Sequence, residues 1–138
     1  MTLSPETKMM CGVILLSITT IEYGGYFLLR VLSGKENQLA LTPFQKSMFR
    51  AGHAHAGVLV ILSIIAMLLI DAVELSDGMG WTLRAGFGVA PLMVSGGFFA
   101  AAAGKGRTKP NKMIALLIAG MIVLGASLIG LGIILLSN

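Results

Sequence analysis

The chain has 138 residues, 56% of them hydrophobic and only 12% charged, with a formal net charge of +4. A soluble domain carries about 25% charged residues, so a water-soluble globule is excluded. No nucleic-acid partner is expected either, because membrane topology accounts for the positive charge and no folded face is left to dock on DNA.

The apolar residues fall into four blocks, 9–32, 44–70, 81–103 and 113–136. Each is near the roughly 20 residues that cross a bilayer as helix. They predict one all-α domain over 1–138, an integral-membrane antiparallel four-helix bundle.

In the first block, Ser4-Pro5-Glu6 offers an N-cap, a proline at the first helical position and an acid in the first turn. Ser33-Gly34 closes the helix with the residue best suited to a left-handed cap. The block is too long for a signal peptide, carries Glu22 and lacks a small-x-small cleavage site, so it is expected to stay in the mature protein. The single cysteine, Cys11, has no partner in the chain for a disulfide. Glu22-Tyr23-Gly24-Gly25-Tyr26-Phe27 has the makings of a quinone-like pocket, although tyrosines near an interface also serve as belt residues.

The second block opens with a capping box, Thr42-Pro43-Phe44-Gln45. Ser76-Asp77-Gly78-Met79-Gly80 is expected as a turn before the third block. Asp71, Glu74 and Asp77 then form a solvated acidic segment or an external cation site. Trp81 anchors the third block at an interface, and Pro91 in its middle removes a backbone donor. Residues 104–110 break the last two spans, with Pro110 positioned to open the fourth. Gly52/Ala56, Ala115/Ala119 and Ala126/Gly130 have the small-xxx-small spacing that lets helix backbones approach closely in lipid.

With four spans, the first and third loops share one side. That side carries Lys35, Lys46, Lys105, Arg107, Lys109 and Lys112, against Lys8 and Arg84 on the other. The positive-inside rule then puts both termini outside the cytoplasmic membrane and the basic loop 104–112 in the cytoplasm, where anionic lipid is its first partner.

Four ionisable residues fall inside the spans: Glu22, Arg50, His53 and His55. Such groups are costly in hydrocarbon, and each is a functional hypothesis by default. By helix rise, Glu22 lies roughly 12 Å from Arg30, while Arg50 and His53 lie roughly 10 and 15 Å from Pro43. Glu22 is therefore expected to pair with Arg50 or His53 across an antiparallel hairpin. Positions two apart on a helix point to nearly opposite sides, so His53 and His55 are not expected on one metal. Zinc chelation by this pair is disfavoured, because helical pairs need i, i+4 spacing.

Haem suits the pattern better. Ala51, Gly52, Ala54, Ala56 and Gly57 leave room for a flat ring beside His53 or His55, either of which can be an axial iron ligand. Any of the nine methionines can serve as a second ligand. Arg50-Ala51-Gly52-His53, leading into an apolar span, resembles the haem-ligand helix of the haem–copper oxidase and nitric oxide reductase superfamily. The resemblance covers one helix and implies that His53 ligates a haem, with Arg50 or Glu22 holding a propionate or tuning the ligand. The further ligand histidines of that family are missing, so neither a copper centre nor oxygen reduction is implied.

No nucleophile–base set, phosphate-binding loop or paired-acid motif occurs, so no catalytic residue is assigned. Three functions remain: a haem-binding or redox-associated protein; an accessory or assembly subunit with a structural polar cluster; and a small proton-coupled transporter or channel. The last two imply a larger membrane complex or a homo-oligomer.

Overall fold

A computed structural model describes residues 2–35 and 40–137, and 80% of them are helical. Four helices follow one another: α1 (Pro5–Leu32), α2 (Pro43–Ile70), α3 (Asp77–Ala102) and α4 (Ile114–Ser137). All four are long and apolar enough to cross a membrane, and the all-α four-helix bundle expected from the sequence is what forms. Residues 36–39, within the expected first loop, lie outside the described residues.

The caps set the boundaries. Ser4 Oγ accepts from Thr7 N at 3.1 Å, and Pro5 follows as the first helical residue of α1. Gly34 closes α1 at φ +72°, a conformation that favours glycine. Thr42 and Gln45 make the reciprocal capping box of α2.

Two boundaries differ from the sequence expectation. Ser76 accepts from Met79 N, so α3 begins at Asp77 and absorbs the expected turn. At α4, Asn111 Oδ1 accepts from Met113 N at 2.7 Å, so Asn111 and not Pro110 prepares the helix start.

The helices pack in chain order. α2 lies between α1 and α3, α3 packs on α4, and α1 meets α3 only lightly. The core sits toward the end that holds the termini, around Ile14, Met67, Ile70, Leu83, Phe87 and Leu131. α1 contributes a heptad-like seam of Ile14, Ile18, Ile21, Gly25 and Leu28, while Val13, Leu15 and Leu16 stay exposed.

The closest approach is between α3 and α4. A Cβ on Gly97 would lie 2.5 Å from Leu117 N, and one on Gly120 would lie 2.8 Å from Val94 N. These two glycines, rather than the Ala115/Ala119 or Ala126/Gly130 pairs, bring the helices together. Ala115 and Ala126 are exposed.

At the opposite end from the core, side chains from other segments close off α3. Gln45, 3% exposed, donates from Nε2 to Ala102 O at 2.9 Å and Gly104 O at 2.7 Å. Asn111 Nδ2 donates to Ala100 O at 2.8 Å. Carbonyls that a helix C-terminus leaves without partners are thereby satisfied.

Candidate functional site

The four ionisable residues singled out by sequence do not converge. Of the four, only His53 is not exposed, and it faces α1. Its ring rests on α1 at Gly25, where an added Cβ would lie 2.9 Å from both Cε1 and Nε2. Gly25 belongs to the α1 seam, so the missing side chain is what admits the imidazole. His53 also borders a cavity of 220 Å³ whose other walls are Gly24, Phe27, Leu28, Phe49 and Phe99. The rings of Phe49 and Phe99 lie 5.5 Å apart at 51°.

His55 turns the other way. Its Nδ1 lies 2.8 Å from Ala51 O, and its ring lies 4.9 Å from that of Phe98 on α3. A carbonyl only accepts, so Nδ1 is the donor in this contact. The two histidines thus diverge, as their spacing requires. Among the described residues, no three of His, Cys, Asp and Glu come together to hold a metal ion.

Glu22 and Arg50 are both exposed, and Glu22 makes no ion pair with Arg50 or His53. The expected pairing is corrected by the register of α1 on α2. Gly25 lies beside His53, and Ser17 borders the same cavities as Val60. Glu22 is therefore level with Ala56, about 9 Å along the axis from Arg50 by helix rise. It also follows Ile21 in sequence, which turns it about 100° off the packed seam. Tyr23 and Tyr26 are likewise exposed, at 72% and 58%, and do not build a pocket with Glu22.

The buried charge pair lies elsewhere. Arg84 Nη2 pairs with Asp71 Oδ1, with the two side chains 10% and 4% exposed. Asp71 Oδ2 accepts from Ser4 N at 2.7 Å, and Oδ1 accepts from Ser4 Oγ at 3.0 Å and Thr7 Oγ1 at 2.9 Å. Arg84 Nε donates to Thr7 Oγ1 at 3.1 Å. Asp71 is therefore no part of a solvated acidic segment. It ties the start of α1 to the α2–α3 connection. Burial pushes its carboxyl upward, but the donors from Ser4, Thr7 and Arg84 prevail and hold it below its ordinary value. The signal was present in the sequence: Arg84 lies on the face of α3 that carries Gly80, Phe87 and Pro91, so it needed an acid of its own.

The His53 cleft is thus a narrow apolar slot with aromatic walls and one imidazole, able to offer a ligand one hydrogen bond or one coordinating nitrogen. The chain matches no family model, no curated protein and no solved structure. Its function has to be argued from this cleft.

Proposed function

We propose that this small membrane protein holds one flat, lipid-soluble redox molecule in the cleft beside His53, and binds it rather than transforming it. The observation that carries the reading is the half-buried imidazole against Gly25, at the edge of an aromatic-walled cavity inside a membrane span. Keeping an ionisable ring there is costly unless it contacts something. Phe27, Phe49 and Phe99 suit the faces of a flat ring, which aromatic side chains contact by offset or edge-on stacking.

Haem is the group implied by the sequence resemblance. As the helices stand, Gly25 covers Nε2 and Cε1, so an iron bound there needs α1 displaced from α2.

Purified protein is expected to carry a chromophore, visible as a Soret band or as a redox-active species in a solvent extract, that is lost in His53→Ala and kept in His55→Ala. A protein with neither species, or one whose chromophore survives His53→Ala, overturns the reading.

The basic loop is assigned to the cytoplasm and the termini to the outside, on the same charge asymmetry read in the sequence. The exposed side of α1 favours a second reading, an accessory or assembly subunit. Thr19, Glu22 and Tyr23 lie there uncovered within a membrane span. A partner helix offering a cation or donor would relieve Glu22 of contact with hydrocarbon.

A further inference from the structure

A cavity of 410 Å³ lies at the end of the bundle that carries the basic loop. Leu41, Gln45 and Phe49 line it from the start of α2, and Ala103, Lys105 and Gly106 line it from the loop. Its polar and apolar parts are sorted by depth. α2 has 28 residues, or about 42 Å of helix rise, which matches a bilayer of about 40–45 Å with its headgroups. Pro43 then sits at headgroup level. Phe49, about 9 Å further along the helix, reaches the top of the hydrocarbon, whereas Lys105 lies beyond the end of α3.

The loop side offers donors and no acid. Lys105 is exposed and is the one charged residue on the walls among the described residues. Lys105 and Gly106 each keep a backbone N–H without a partner among the described residues. Gly104 and Gly106 have φ +115° and +65°, while Lys105 between them has a negative φ. Turns of this kind aim successive N–H groups to one side and form a concavity that holds anions.

Side chains of the protein itself fix the loop in this shape. Gln45 Nε2 donates to Gly104 O, Arg107 Nε to Ala103 O, and Thr42 Oγ1 to Arg107 O. A site set in advance loses little ordering entropy on binding.

We propose that this cavity binds one anionic phospholipid. Its phosphate lies on the Lys105 ammonium and the N–H groups of Lys105 and Gly106, and the first part of an acyl chain lies on Leu41 and Phe49. A free phosphate would leave the apolar wall unused, and a neutral acyl chain would leave the donors unused. The site does not depend on what the His53 cleft holds.

The test is native mass spectrometry of the whole protein in detergent, titrated with three probes. They are dihexanoyl phosphatidylglycerol, dihexanoyl phosphatidylethanolamine, and the chain-free headgroup glycerophosphoglycerol. One phosphatidylglycerol is expected to bind first, more tightly than either of the others. Lys105→Gln should weaken it about fivefold, the worth of one lysine at an anionic surface. Lys109→Gln and Lys112→Gln remove the same charge but do not line the cavity. Each should change the affinity by less than about twofold, because salt screens exposed charges. All three positions are exposed, so the thermal midpoint without lipid should stay the same and separate lost binding from lost folding. Equal weakening by the three substitutions would mean a diffuse field in place of a site, and overturns the proposal. So does equal binding of the two lipids. A headgroup that binds as tightly as the lipid makes this an anion site and overturns the lipid.

Discussion

Asp71 and Arg84 show how a single pair governs stability at one end of the molecule. Removing one partner of a buried pair strands the other, at a cost of about 3–5 kcal/mol. Asp71→Ala is therefore expected to destabilise the protein by about 3 kcal/mol, read as a lowered thermal midpoint in detergent. The pH dependence has a definite sign. The folded-state carboxyl lies below its ordinary value, so its contribution is complete above the unfolded pKa, about 3.9, and is lost as pH falls through the lower folded value. The wild type should lose thermal stability on acidification below about pH 4, whereas Asp71→Asn should start lower and respond less over that window. An equal response in both proteins would remove Asp71 from the acid limb. At this scale the sequence is half legible. The divergence of His53 and His55 follows from spacing alone, because local helix geometry decides it. The partner of Glu22 does not, because a shift of a turn and a half between α1 and α2 is invisible in either helix by itself.

At the scale of the helix, Pro91 poses a problem that another element solves. Its missing N–H frees the carbonyl of Phe87 one turn earlier, and Ser63 on α2 donates to that carbonyl at 2.6 Å. The α2–α3 contact is thus fixed by a polar bond as well as by packing. On the other side of α3 the contact with α4 depends on absent side chains, and two adjacent glycines separate the effects. A Cβ on Gly97 meets the backbone of Leu117, which has no flexible end to move aside, while a Cβ on Gly96 meets nothing. Gly97→Ala is expected to cost about 1–3 kcal/mol through overpacking. Gly96→Ala should be neutral or gain up to about 1 kcal/mol of helix propensity. Unfolding of the two variants in mixed micelles checks this, and equal stability would mean that α3 and α4 are not held at this distance. Helix number, type and most caps were readable in advance because hydropathy and cap chemistry are local. Which glycines are covered was not, because Gly97 and Gly120 are distinguished from Gly125 or Gly132 only by what lies across the interface.

For the molecule as a whole, the two ends differ in both charge and packing. The end with the termini holds the core and the Asp71–Arg84 pair, whereas the other end carries the basic loop. Pairing with Asp71 occupies Arg84, so the exposed cation counted on the terminal side by sequence is Lys8. The exposed lysines counted on the other side are Lys35, Lys105, Lys109 and Lys112. The basic loop is also well anchored. Arg107 Nε donates to Ala103 O at 2.8 Å, and its carbonyl accepts from Thr42 Oγ1, while Lys105, Lys109 and Lys112 stay exposed. Those three lysines can be exchanged without touching a helix cap, which makes orientation testable apart from folding. In a Cys11→Ser background, a membrane-impermeant thiol reagent added to intact cells should label a cysteine at Glu74 (E74C) and leave one at Lys109 (K109C) unlabelled until the membrane is permeabilised. Changing Lys105, Lys109 and Lys112 to Gln should then let part of the population insert the other way, with label appearing on a loop cysteine at Thr108 (T108C) in intact cells. Label at K109C in intact cells with none at E74C would reverse the orientation.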